Sequence, residues 1–91
     1  MNTLDDVYEL MRQFRITLGE FDESLAESFT ELERHHEHLE GMWQDQMAQR
    51  YWRAYEPFAE TMKTYIQGDA LRFEEFLDTK LRILDQYLSG A

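Results

Sequence analysis

Apolar side chains recur every three or four residues through the first half of the chain, from Leu4 to Trp43. The row passes through Gly19 without losing its phase. This spacing is typical of an amphipathic helix, and it predicts one helix over about residues 3–40. Because an α-helix rises about 1.5 Å per residue, such a helix is about 60 Å long and needs a partner of similar length to bury its apolar stripe.

The second half supplies a matching row of apolar residues that ends at Leu88. Two positions interrupt it. Pro57 removes a backbone hydrogen bond inside a helix, so we expect a kink or a restart there. Gly68-Asp69 is a second expected break, with Asp69 as the cap of a new helix. The pattern therefore predicts a helical arm over about residues 46–88, either as one kinked helix or as two helices.

These two rows predict an all-α fold, a helical hairpin that forms a single domain over residues 1–91. Thr3 and Asp6 have the spacing of a capping box at the start of the first helix. Gly41 is expected to end that helix with a positive φ, and residues 41–45 to form the turn. Apolar residues also lie beside the main stripes, and two helices bury only part of such a surface. We therefore expect two copies, or this chain and a related one, to form a four-helix bundle.

The composition narrows the possible functions. The chain has 91 residues, no cysteine and a formal charge of −10. That charge disfavours binding to nucleic acid and to anionic membranes. The chain shows no apolar run for a membrane span and no Sec signal peptide, so we expect a cytoplasmic location or export by another route. No phosphate-binding loop or nucleophile–base pair is visible, so we expect neither an enzyme nor a cofactor.

The charge is concentrated in the first helix. Residues 1–42 carry 11 acidic and 3 basic side chains, whereas residues 43–91 carry 8 and 6. On the outer face of a helix these acids are either a solvated surface or a docking ridge for a basic partner. The predicted acidic ridge consists of Glu20, Glu23, Glu27, Glu31, Glu33 and Glu37.

The centre of the chain carries a recognisable set of residues. Trp43 lies at the predicted turn, and the aromatic pair Tyr51 and Trp52 follows about two helical turns later. With a long amphipathic helix on each side and no cysteine, the whole chain resembles the Trp-X-Gly family of small hairpin proteins that bacterial type VII systems secrete. The motif here reads Trp-Gln-Asp, with Asp45 in the place of glycine. Asp45 adopts the left-handed conformation more readily than most residues. Gly41, Trp43 and Asp45 thus form the predicted turn motif, in which Trp43 also anchors the end of the core.

The resemblance implies a secreted partner, a chaperone or a targeting subunit. The family's export signal is a tyrosine followed four residues later by an acidic residue, after the second helix. Tyr87 is followed at that distance by Ala91, and the pair Tyr65 and Asp69 lies inside the arm. Such a member is exported with a partner that carries the signal, or is not exported. The alternative function is a cytosolic acidic adaptor, such as an immunity protein, an inhibitor, a DNA mimic or a defence-complex subunit.

Two further groups of residues are candidates for contacts. The predicted partner interface consists of Tyr51, Trp52, Tyr55, Phe58, Phe73 and Phe76. The three histidines, His35, His36 and His38, lie together near the end of the first helix. His36 falls on the apolar stripe, so we expect it to be half-buried with the other two solvated. We do not predict a metal site, because a di-iron arrangement needs a second Glu-x-x-His that the chain lacks.

Overall fold

A computed structural model describes residues 3–90. Met1, Asn2 and Ala91 lie outside the described part, and the expectations about a signal peptide and the Tyr87 spacing fall partly on them. Within that part, helix α1 spans Leu4–Met42, α2 spans Gln46–Thr64 and α3 spans Ala70–Leu88. A π-helical segment, Tyr65–Asp69, joins α2 directly to α3. The fold is therefore all-helical, as predicted, and α2, the π segment and α3 form the second arm of a helical hairpin.

Helix α1 begins at the predicted capping box. The Asp6 backbone N–H donates to Thr3 Oγ1 at 3.2 Å, and the Thr3 backbone N–H donates to Asp6 Oδ2 at 3.3 Å. These bonds satisfy backbone donors that the first turn leaves free. The helix ends at Met42. The next residue, Trp43, has an extended backbone and donates its N–H to Leu39 O at 2.8 Å.

The turn differs from the prediction at two positions. Gly41 lies inside the last turn of α1, and Gly90 is the only described residue with positive φ, so the expected left-handed end at Gly41 is wrong. Asp45 has a φ of −82° and is not left-handed either. Its Oδ1 accepts the Ala48 N–H at 2.9 Å, so Asp45 caps the start of α2. The capping bond explains an acidic residue at this place.

The second arm has no loop at either predicted interruption. Helix α2 contains Pro57 and runs on to Thr64. Asp69 is helical and its side chain caps nothing, so the predicted new helix start is wrong. Instead, the Ala70 N–H donates to Tyr65 O, five residues back. A single π turn of this kind accommodates one extra residue within a continuous helix.

That extra residue keeps both halves of the arm facing α1. The residues of the arm that pack toward α1, here called the seam, repeat every seven residues in α2 and again in α3, but the two series are offset by one residue. The π segment absorbs the offset. The seam comprises Ala48, Trp52, Tyr55, Ala59, Met62 and Ile66 before the π segment, and Ala70, Glu74, Leu77, Leu81, Leu84 and Leu88 after it.

The hairpin is a long rod. Its principal extents are 66 × 24 × 17 Å and its radius of gyration is 19.7 Å, whereas a compact chain of this size has a radius near 12 Å. Its accessible surface of 7263 Å² exceeds by about 1,600 Å² the value expected for a compact monomer of its mass. None of the helices in the described part has the length and apolarity needed to cross a membrane.

Candidate interaction face

Many large apolar side chains remain exposed, and most of them lie on one side of the hairpin. Positions seven residues apart occupy the same side of a helix, so each arm contributes a row. We call the two rows the apolar face. It consists of Val7, Leu10, Phe14, Phe21, Leu32 and Leu39 from α1, and Met47, Tyr51, Phe58, Phe73, Phe76, Ile83 and Tyr87 from the second arm.

The two rows meet across the hairpin. Leu32 of α1 lines a shallow depression with Tyr51, Ala54 and Phe58 of α2. The ring centroids of Phe58 and the buried Phe29 lie 6.4 Å apart, so the exposed row rests directly on the core. At this point the two rows form one surface rather than two separate stripes, and contiguous apolar surfaces are typical of interaction sites.

Charged groups are sparse on the apolar face. Its α1 row contains none. In the second arm, Lys80 Nζ lies 5.4 Å from the centre of the Phe76 ring, a cation–π contact, and Phe76 remains 59% exposed. Asp69 is paired with Arg72 at the edge. A partner that covers this face therefore has few charges to desolvate, which favours binding.

The structure divides the predicted partner-interface residues into two groups. Tyr51, Phe58, Phe73 and Phe76 are exposed and belong to the apolar face. Trp52 and Tyr55 are half-buried and lie in the seam instead. His36 explains their placement, because its ring stacks on Tyr55 at 4.0 Å and meets the edge of Trp52 at 4.6 Å between centroids. Because both side chains are half-buried within the hairpin, they offer less surface to a partner than the other four residues do.

The turn motif closes the end of the core. The Trp43 ring is half-buried, with its centroid 5.9 Å from that of Tyr51 and 5.7 Å from that of Trp52. Trp43 therefore anchors the point where the two arms meet. Gly41 lies two residues before Trp43, in the last turn of α1; it is exposed, and a Cβ added there would meet no atom within 4 Å.

The histidines are placed as their positions on the helix predict. His36 is half-buried, and its Nε2 lies 3.1 Å from Glu40 Oε2. His35 and His38 are exposed. Within residues 3–90, no group of three or more His, Asp or Glu side chains is placed to hold a metal ion.

The acidic ridge lies away from the apolar face, and five of its six predicted residues are exposed. Glu20, Glu23, Glu27, Glu31 and Glu37 are exposed. Glu33 is half-buried, accepts the Tyr55 O–H at 2.9 Å and lies 3.4 Å from Lys63 Nζ. Burial, together with this bond to Glu33, raises the pKa of Tyr55 to about 12. Glu33 is therefore a hairpin contact, and its predicted place on the ridge is wrong.

A polar cluster in the seam was not predicted. The side chain of Asp22 is buried in α1, and its Oδ1 accepts the Tyr65 O–H at 2.6 Å. Arg15, one helical repeat earlier, donates from Nε to Asp78 at 2.8 Å and lies 3.1 Å from Glu74 through Nη2. The hydrogen bond to Asp22, with burial, raises the pKa of Tyr65 to about 12. These contacts fix the register of α1 against the π segment and α3.

Gly19 leaves space for this cluster. A Cβ at Gly19 would lie 2.8 Å from Nη1 of Arg15. From the sequence alone, Gly19 is only a residue that weakens the helix, by roughly 1 kcal/mol relative to alanine. A larger residue at this position would therefore displace the Arg15 guanidinium from its present place.

Fold and face together define a class: a two-armed helical hairpin with an uncovered apolar surface on one side and acidic groups on the other. No protein-family model, no curated protein and no solved structure matches the chain.

Proposed function

We propose that this protein is a non-enzymatic interaction module that docks its apolar face on another helical chain. The observation that carries the proposal is the alignment of exposed Phe, Leu and Tyr side chains along one side of both arms. The occupant is a second copy or a related hairpin, because only an elongated partner covers a face that follows a 66 Å rod. Two such hairpins give a four-helix bundle, the usual arrangement for amphipathic helices of this length.

Charge supports docking through this side. The exposed ridge residues point away from the apolar face, so face-to-face docking leaves them in solvent on the outer surface. An α-helix is about 10–12 Å across, which exceeds the screening length of about 8 Å at physiological salt. The formal charge of −10 therefore opposes docking only weakly.

The resemblance at the turn favours a type VII secretion role within this class. We propose that the hairpin serves as secreted partner, chaperone or targeting subunit, with export through a partner that carries the signal. The position of Trp43 at the junction of the arms supports this proposal. A second candidate is an acidic adaptor for a basic protein, which the exposed Glu20, Glu23, Glu27 and Glu31 favour.

Export separates these functions. In a bacterium that has a working type VII system and also produces the signal-carrying partner, we expect the protein in the medium, and we expect it to stay in the cells when the secretion ATPase is deleted. The substitution Phe14→Glu with Phe76→Glu, here the face variant, should abolish export because it places charge on the docking surface. The matched ridge variant, Glu23→Lys with Glu27→Lys, should be exported normally.

Two results would contradict the secretion role. One is a wild-type protein that stays in the cells while the resident type VII substrates are exported. The other is normal export of the face variant. The adaptor function would be favoured instead if the ridge variant lost its binding to a basic partner while the face variant kept it.

A further inference from the structure

We infer that a second copy docks on the apolar face with its turn at the same end of the rod, so that α1 of each copy packs on the second arm of the other. This inference rests on the proposed function, because it specifies how a second copy covers the face. The alternative is a reversed copy, in which α1 packs on α1 and arm packs on arm. For rods that lie along each other, these are the two arrangements that a two-fold axis allows.

The apolar face is interrupted near its middle. No large apolar side chain is exposed between Phe21 and Leu32 of α1, and none is exposed between Phe58 and Leu71 of the second arm. The two interruptions, here called the polar gap, lie side by side in the hairpin, because the ring centroids of Phe29 and Phe58 are 6.4 Å apart. Exposed polar residues lie in both stretches: Ser24, Ser28, Thr61 and Asp69.

The polar gap favours the arrangement with both turns at one end. Each level of the rod then faces the same level of the copy, so the gap of α1 lies on the gap of the other arm. Helix α1 spans Leu4–Met42 and is centred on residue 23, whereas its gap is centred between residues 26 and 27. Reversal would therefore shift the two α1 gaps apart by about seven residues, or about 10 Å. Phe21 of each copy would then lie against the polar gap of the other, which costs desolvation without a hydrogen bond in return.

The outer sides of the two arms carry opposite charge. A residue two positions from a seam residue lies about 200° around the helix, on the side that faces away from the other arm. On α1, whose buried residues are Asp22 and Phe29, these positions include three ridge acids: Glu20, Glu27 and Glu31. On the second arm their charged residues are four arginines and two glutamates: Arg50, Arg53, Arg72, Arg82, Glu60 and Glu75. Arg72 is already paired with Asp69.

These charges favour the same arrangement as the polar gap does. With both turns at one end, the acidic outer side of α1 adjoins the more basic outer side of the other copy's arm, and the two α1 helices occupy opposite corners of the bundle. In the reversed arrangement the two α1 helices are neighbours, about 10 Å apart, which is close to the screening length of about 8 Å at physiological salt. Because residues 1–42 carry 11 acidic and 3 basic side chains, repulsion disfavours that pairing.

Distances between spin labels test the orientation. The chain has no cysteine, so one introduced cysteine carries the only label of each copy. Gln44→Cys places the label in the exposed turn, and Gln86→Cys places it on the outer side near the end of α3. With both turns at one end, double electron–electron resonance should give about 20–40 Å for each variant, since helices about 10–12 Å across set the width of the bundle. In a reversed dimer each distance would be close to the 66 Å length of the rod.

The face variant carrying the Gln44→Cys label is the matched control, and it should give no distance between copies because it stays a monomer. Long distances at both positions would overturn the inferred orientation and leave the docking of a second copy intact. A short distance at one position and a long one at the other would also overturn it. If the labelled chains without the face substitutions give no distance at either position, the docking of a second copy fails, and the orientation fails with it. Circular dichroism checks that each labelled chain is folded.

Discussion

Deleting Gly68 should leave the hairpin folded, with a free energy of unfolding within about 1 kcal/mol of the wild type. The π segment contains one residue more than an α-helix needs, and Gly68 lies within it. Removing this residue joins the seven-residue series of α2 to that of α3 without an offset. Ile66 and the present Glu74 would then be seven positions apart, and the seam would keep its residues.

A deletion elsewhere should have a far larger effect. Glu31 is exposed in the middle of α1, where the helix has no extra residue to lose. Its deletion rotates one part of α1 by about 100° against the other. Either Arg34 and Glu37 then enter the seam, or Phe29 leaves it. Loss of a buried Phe side chain alone costs about 3–5 kcal/mol, which is a large part of the stability of a small domain.

Urea unfolding followed by circular dichroism compares the two deletions. We expect the Gly68 deletion to retain a cooperative transition near the wild-type midpoint, and the Glu31 deletion to lose most of its helicity or to unfold at much lower urea. Equal loss of stability in both variants would show that the π segment does more than absorb the offset.

Periodicity and capping chemistry account for what the sequence predicts well. The 3.6-residue spacing from Leu4 onward and the pair Thr3 and Asp6 act within a few residues of each other, so they are visible in the sequence. The arm over residues 46–88 is predicted for the same reason. The role of Asp45 is predicted incompletely, because an acidic residue suits both a left-handed turn and a helix cap.

The seam itself depends on long-range packing. Each arm has two neighbouring apolar rows, and only contact with the other arm decides which row is buried. The large residues Phe14, Phe21 and Phe73 suggest the wrong row. The buried positions of the arm include the small residues Ala48, Ala59 and Ala70, which let the helices approach closely. Their regular spacing of 11 residues is the signal in the sequence that indicates the seam.

The polar cluster is hidden from sequence reasoning for a related reason. Arg15, Asp22 and Glu74 look like ordinary surface charges when each helix is considered alone. They enter the seam only through the antiparallel pairing of the arms and, for Glu74, through the offset at the π segment. Gly68 marks the place of the offset, although its neighbour Asp69 suggests a helix start that does not exist.

The face variant should show the second large effect. Phe14 and Phe76 are 53% and 59% exposed, so replacing them with Glu removes little packing within one chain. In a bundle of two copies it places four carboxylates in an apolar interface. Each substitution loses about 1.5–3 kcal/mol of apolar burial and adds a desolvation cost. The dissociation constant of the dimer should therefore rise at least about 1,000-fold, with helicity unchanged.

The ridge variant controls for the place of the substitutions. Glu23→Lys with Glu27→Lys changes the net charge by +4, a larger change than the −2 of the face variant, but on exposed positions away from the apolar face. Surface charges of this kind contribute little to packing. We therefore expect the ridge variant to associate as the wild type does, or slightly more tightly because the two negatively charged copies repel each other less.

The molar mass in solution, measured by light scattering over a range of concentrations, tests the apolar face as a docking surface most directly. One chain has a mass of 11.0 kDa. We predict that the wild type and the ridge variant reach twice this mass at concentrations where the face variant remains a folded monomer. A wild type that stays at 11.0 kDa at every concentration, or a face variant that associates as strongly as the wild type, would contradict the docking of a second copy on this face.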